Sequence, residues 1–276
     1  MQIKYFPINS KNSYVVFENN DKIEELEPFM KENKLSRIIF SGFLGYSKSV
    51  LPFNEDIDLI EEITIQCSNI TDLISLYHLS NIKKISIEEN AALAHPFDIR
   101  KIAQLTDFFT DDTLKIDGFF DHPTLKQLHI EPKKTKKLDI HNENNILESL
   151  SIANSHILDL SDCKKFTNLK GLYIAYLPKI EDINFILDMP TLTDIEICSC
   201  KKIDNLIVTL AQKNNLEKLT LWNQGNLDSI IPLSKLEHLT TLNIWEQTKI
   251  IDGKISFLEE MQNLKKIDIR KYTHYH

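Results

Sequence analysis

Glycine is scarce in this chain, with six in 276 residues. That leaves little material for phosphate-cradling loops, and no Walker, GxGxxG, GxSxG, HExxH or EF-hand spacing occurs. Cysteine is sparse too. The four (Cys67, Cys163, Cys198, Cys200) form no CxxC pair and are too few for a disulfide framework, so reduced thiols in or near a core are expected. Only three arginines occur (Arg37, Arg100, Arg270) and the net charge is −8, which argues against a nucleic-acid face built from arginine and interleaved aromatics. No run approaches the roughly 20 apolar residues that span a bilayer. The start, MQIKYFPINSKNSYVVF, lacks the basic, apolar and cleavage regions of a secretory signal. A cytoplasmic protein with no membrane attachment and no cofactor is the expectation.

What the chain has instead is a repeat. The spacing Leu-x-x-Leu-x-Leu, with Ile allowed for Leu, occurs at Ile60-Ile63-Ile65, Ile82-Ile85-Ile87, Leu125-Leu128-Ile130 and Leu147-Leu150-Ile152. It continues at Leu169-Leu172-Ile174, Leu192-Ile195-Ile197, Leu216-Leu219-Leu221, Leu239-Leu242-Ile244 and Leu264-Ile267-Ile269, with Leu35-Ile38-Phe40 as an earlier member. The wide gap between Ile82 and Leu125 calls for one more copy, placed near Ile102-Leu105 with Asp107 third. Copies then start about every 23 residues, inside the leucine-rich-repeat range. Some 10 to 13 residues into most copies comes a short apolar-Asp-apolar piece, as at Asp72, Asp139, Asp159, Asp182, Asp204 and Asp228.

These pieces together resemble the internalin-like class of bacterial leucine-rich repeats, over about residues 60–270. The resemblance implies an α/β solenoid: a curved parallel sheet on the concave face, with short irregular or strand-like return segments. The asparagine of the family pattern is mostly replaced, since its position reads Ser68, Asn90, Ser155, Leu177, Cys200, Gln224 and Gln247. The physics is periodicity. The last two apolar residues of each copy alternate at period two and point inward, while the intervening residues face out. One coil cannot bury its own faces and is stabilised by stacking on the next.

Residues 1–34 do not fit the repeat. Strands at 3–5 and 14–17 around a Pro7-Ile8-Asn9-Ser10 turn, then a helix over 22–33 capped by Asp21, suggest a β-β-α cap. Residues 35–276 would form about eleven coils of one solenoid. Segments 42–58 and 90–101 read as loop insertions. After Ile269 no amphipathic helix follows. The final coil must be protected by Arg270 and Lys271, by the tyrosines of the last residues, or by a second copy in an end-to-end homodimer. His274 and His276 read as disordered surface residues.

The outward rows carry the functional expectation. The residue after the third apolar position runs Gln66, Glu88, Phe108, Glu131, Ala153, Ala175, Cys198, Trp222, Trp245, Arg270. The row inside the strand runs Thr64, Ser86, Thr106, His129, Ser151, Tyr173, Glu196, Thr220, Asn243, Asp268. Both tryptophans of the chain thus occupy one slot in adjacent coils, with Arg270 in cation–π reach and Tyr173, Tyr176 and Glu196 alongside. Exposed Trp, Tyr and Arg together have the composition of a binding hot spot, although two tryptophans could also stack merely to stiffen the ladder. His129 is a binding-surface candidate, and Phe108-Phe109 is either a second anchor or core. The Lys133-Lys134-Thr135-Lys136-Lys137 cluster reads as a solvated loop rather than a nucleic-acid contact. Between 51 and 112, twelve acidic residues face four basic ones, a field that would steer a basic protein partner. A non-catalytic protein-binding scaffold follows, with a toxin-neutralising immunity protein or a non-classically secreted effector as narrower forms of it.

Overall fold

The computed structural model describes residues 1–5, 13–89, 93–113, 115–270 and 272–276. The Pro7–Ser10 turn, Asn90 and Lys271 lie outside them. The chain divides into two compact units, Met1–Ile130 and Glu131–His276.

In the first unit, β1 (Gln2–Tyr5) pairs antiparallel with β2 (Ser13–Val16). From β2 onward the pairing is parallel, through β3 (Arg37–Ser41), β4 (Glu62–Gln66), β5 (Lys84–Glu88), β6 (Asp107–Thr110) and β7 (Gln127–Ile130). A 3₁₀ turn over Ile23–Glu25 leads into α1 (Leu26–Asn33), which buries Leu26 and Met30. The Asp21 cap does not form: neither helical segment has a side-chain cap, and Asp21 Oδ2 instead accepts from the Glu18 amide at 2.8 Å.

In the second unit, β8 (Ser149–Ala153), β9 (Gly171–Ala175), β10 (Asp194–Cys198), β11 (Lys218–Trp222), β12 (Thr241–Trp245) and β13 (Lys266–Ile269) pair in parallel, in chain order. Equivalent positions of successive repeats sit side by side: Leu150, Leu172, Ile195, Leu219, Leu242 and Ile267 form one row. All but Ile267 are buried. Each fully buried aliphatic side chain contributes about 1.5–3 kcal/mol, so the row is a principal source of stability.

The return segments combine short strand pieces, such as Gly225–Leu227 paired in parallel with Thr248–Ile250, with helical turns. They include 3₁₀ turns at Ile74–His78, Ser161–Lys165, Asn184–Asp188, Ile231–Lys235 and Ser256–Glu260, and the short α2 (Leu206–Leu210). The recurrent aspartate has a physical role here. Asp72, Asp159 and Asp182 accept from the amide two residues on (Ile74, Ser161, Asn184) at 2.6–2.8 Å. Such Asx turns fold the chain into the helical return.

One repeat register changes. Ile85 pairs with Phe108 and Ile87 with Thr110, so the irregular copy is Leu105-Phe108-Thr110 and not Ile102-Leu105-Asp107. Thr110 takes the third core position because its hydroxyl, fully buried, donates to the Asp112 carbonyl at 2.6 Å. Phe108 is therefore core, 2% exposed, and it is Phe109, not Thr106, that joins the outward row. Much of the 90–101 segment is then return rather than insertion: Phe97–Asp98 pairs with Ile116–Asp117, and Arg100 bridges Asp98 and Asp121.

All four cysteines are buried free thiols; burial pushes Cys163 upward and Cys200 to about 12. The last residues are held, not loose. His276 exchanges backbone bonds with Gly253 and Ile255, and His274 reaches the Ile250 carbonyl at 2.9 Å. Gly253 sits at φ +67°, and a Cβ there would collide with the His274 carbonyl, so glycine is required.

Candidate functional site

Strand register places the outward residues of the second unit. Ala153, Ala175, Cys198, Trp222 and Trp245 are successive Cα partners across β8–β12, as are Ser151, Tyr173, Glu196, Thr220 and Asn243. The first row changes in size along its length. Ala153, Ala175 and Cys198 are small and buried, and Tyr173 and Trp222 pack against them. Trp222 and Trp245 are half-buried, with ring centroids 6.0 Å apart at 82°. This edge-to-face arrangement sets the positive edge of one indole against the negative face of the other. Small buried residues thus form the bed on which Tyr173 and Trp222 pack.

Tyr176 stands at the exit of β9 in the left-handed region (φ 53°) and is 52% exposed. The same exit position holds Asn154, Ser199, Asn223 and Glu246, each at positive φ. Their amides continue the ladder: Tyr176 N donates to the Cys198 carbonyl and Ser199 N to that of Trp222. One step further, the diverged asparagine position keeps its work. The Gln224 side chain donates to the Ile197 and Trp222 carbonyls at 2.8 and 2.9 Å. Ser155 donates to the Pro132 carbonyl, and the Cys200 thiol to that of Cys198. The carbonyls that asparagine would satisfy are met by other donors.

Electrostatics single out Glu196. It is half-buried beside Tyr173 and Thr220, and no hydrogen bond or ion pair reaches its carboxylate among the described residues. Burial raises its pKa above the ordinary glutamate value and pushes the Tyr173 phenol to about 12. An unpaired, partly desolvated carboxylate beside an aromatic ring favours any cation delivered to it.

Two expected members sit elsewhere. Arg270 makes its cation–π contact with Tyr272, 5.7 Å from the ring, and not with the tryptophans. Tyr272 follows it in the tail, so the guanidinium is taken locally. Asp268 is exposed on β13, in the same row as Asn243. His129 belongs to the first unit, where its ring stacks flat on Phe109, centroids 4.1 Å apart at 8°, and burial lowers its pKa. In the lysine cluster, Lys137 pairs with Asp159 and Asp162.

Sequence reasoning missed a second outward feature, in the first unit. A cavity of about 450 Å³ opens over β2–β6, lined by Tyr14, Ile39, Phe43, Glu62, Glu88 and Phe109 among others. Ile39, Thr64, Ser86 and Phe109 are register partners along its floor. The displaced register of the irregular copy concealed Phe109 from this row. Among the described residues, no group of three or more His, Cys, Asp or Glu could hold a metal ion, and no helix is long and apolar enough to cross a membrane.

No family model matches the chain. Among solved structures it is similar to internalin C2 of Listeria monocytogenes, at 18% identity over 66% of this chain and 72% of that one, with a TM-score of 0.37. It is also similar to an internalin (inlF) of the same species, at 16% identity over 78% of this chain and 77% of that one, TM-score 0.44. A leucine-rich-repeat protein of Leptospira interrogans aligns at 13% identity over 93% of this chain and 59% of its own length, TM-score 0.49. By the register of its own strands and the recurrence of its turns, the chain is a leucine-rich-repeat protein that resembles the internalin-like class.

Proposed function

We propose that this chain is a non-catalytic scaffold that grips a protein partner on the outward ladder face of its second unit. The observation that carries the reading is the juxtaposition of two half-buried tryptophans, the Tyr173 ring and the unpaired Glu196 carboxylate on adjacent strands. Aromatic anchors beside a desolvated charge are the usual centre of a protein interface. A pair needed only to stiffen the ladder would leave no reason for Glu196 to stay charged next to it. Glu196 and the acidic stretch at 51–112 favour a basic partner. Within this reading, a bacterial immunity protein that neutralises a basic toxin in the cytoplasm suits the net charge of −8 better than an effector does. Residues 1–34 serve as the cap of the repeat array.

Replacing Trp222 and Trp245 together by alanine is expected to weaken partner binding by about 100-fold or more, since each anchor of this type contributes about 2 kcal/mol or more. Circular dichroism should be unchanged, because neither ring belongs to the aliphatic core. Undiminished affinity in the double variant would overturn the assignment. A second copy is part of the same proposal: β13 keeps Ile267 44% exposed, and an edge strand with apolar surface invites pairing. Sedimentation at micromolar concentration should show a dimer that Ile267→Lys dissociates; a wild-type monomer would remove this element.

A further inference from the structure

The cavity of the first unit has a different chemistry from the tryptophan face, and it follows from three register rows. In the first, Arg37, Glu62 and Lys84 are Cα partners. Glu62, 8% exposed, is saturated there: Arg37 Nε lies 3.0 Å from one oxygen, and Tyr14 Oη donates to the other at 3.0 Å with Lys84 Nζ at 3.5 Å. In the third row Ser41, Gln66 and Glu88 are partners. Glu88 receives only neutral donors, the Gln66 amide on Oε2 at 2.8 Å and the Ser86 hydroxyl on Oε1 at 2.9 Å. No cation reaches it among the described residues.

The walls are aromatic. Phe109 lines the cavity from the row between, and Phe43 stands over it on the turn Gly42–Leu44, 83% exposed. An exposed phenylalanine at the mouth of a cavity is costly in water unless something covers it. A carboxylate accepts at about four lone-pair directions, and Glu88 has about two in use. What fits both is a planar cation: it can lay its face on Phe43 or Phe109 and fork its donors onto Glu88.

We propose that this cavity is a second binding site, which takes an arginine side chain from a protein partner. It is independent of the tryptophan face, so either assignment can fail without the other. A lysine would present a point charge without the planar stacking. The surrounding excess of acidic residues at 51–112 draws such a partner in.

The test uses the full chain and a blocked tripeptide, acetyl-Gly-Arg-Gly-amide, followed by amide resonances in two-dimensional NMR. Saturable shifts are expected at Gln66, Glu88 and the 42–44 turn, with a Kd on the order of 1 mM for one anchored side chain. The citrulline tripeptide, isosteric but neutral, should bind at least about tenfold more weakly, as should the arginine peptide to Glu88→Gln, because a charge-assisted pair is lost. Phe43→Ala, at an exposed position that does not endanger folding, should weaken binding severalfold. Equal binding of citrulline or lysine peptides, or an unaltered Kd in Glu88→Gln, would overturn the proposal. So would free L-arginine binding more tightly than the blocked peptide, which would mark a small-molecule site.

Discussion

At the scale of single residues, Glu196 shows how function and stability separate. Burial raises its pKa, so the folded chain holds that proton to higher pH than the unfolded chain does. The folded state is therefore penalised as pH rises from the ordinary glutamate range towards the raised value of the folded chain. Glu196→Gln removes this penalty. The variant should have a higher Tm than the parent at pH 7, with the difference vanishing below about pH 4, where both forms are neutral. Binding of a basic partner should fall in the same variant. A lower Tm at pH 7 would show that the carboxylate is satisfied in the free protein. Tyr176, Arg270 and Glu88 teach a related lesson. Side-chain identity suggested surface roles, but what each group already touched depended on how the chain packs: Glu88 on Gln66 of the preceding coil, and Arg270 on Tyr272 of the tail.

At the scale of elements, the repeat draws on three local solutions that recur in many coils though not in all, since Leu177 offers no donor at the asparagine position and Gln247 is exposed there. A strand exits through a left-handed residue, a buried donor closes the turn, and an aspartate opens a helical return. Asn154 and Asn223 fill the left-handed position with residues that tolerate it, whereas Ser199, Tyr176 and Glu246 occupy it against preference. The asparagine position shows how loosely such a rule can be met. Ser155, Cys200 and Gln224 differ in length and acidity, yet each places a donor on a carbonyl that would otherwise be orphaned. Divergence at that position therefore left the ladder regular. The irregular copy, Leu105-Phe108-Thr110, follows the same logic in the core, because a threonine can be buried wherever its hydroxyl finds a carbonyl.

At the scale of the whole molecule, the two units carry opposite pH responses. In Met1–Ile130 burial lowers the pKa of His122 and His129. His122, 1% exposed, uses Nδ1 to accept from the Thr124 amide while Nε2 faces the Ile99 carbonyl, so a second proton would break the first of these bonds. A histidine depressed in the folded state gives stability that is present above its unfolded pKa and lost as pH falls through about 6.5 and below. In Glu131–His276 the raised carboxyl of Glu196 acts in the reverse direction. The lowered aspartates of both units (Asp56, Asp98, Asp159, Asp162) come into play only in stronger acid. Amide hydrogen exchange, corrected for intrinsic rates, should therefore show protection falling between pH 7 and pH 5 in the first unit and holding in the second. Uniform loss across both would contradict this.

The repeat, its parallel strands, the inward rows and the adjacency of Trp222 and Trp245 were legible in one dimension, because hydrophobic periodicity is a local property and a constant repeat length makes neighbours of equivalent positions. Three things were not. The slip of the irregular copy by three residues depended on a buried hydroxyl bond, which no hydrophobic pattern records. The capture of Arg270 by Tyr272 depended on how the tail folds. The cavity beneath Phe43, with Glu62 neutralised and Glu88 left for a partner, depended on which side chains of different coils meet. Periodicity can say that residues share a row; only packing decides which charges in that row are already spent.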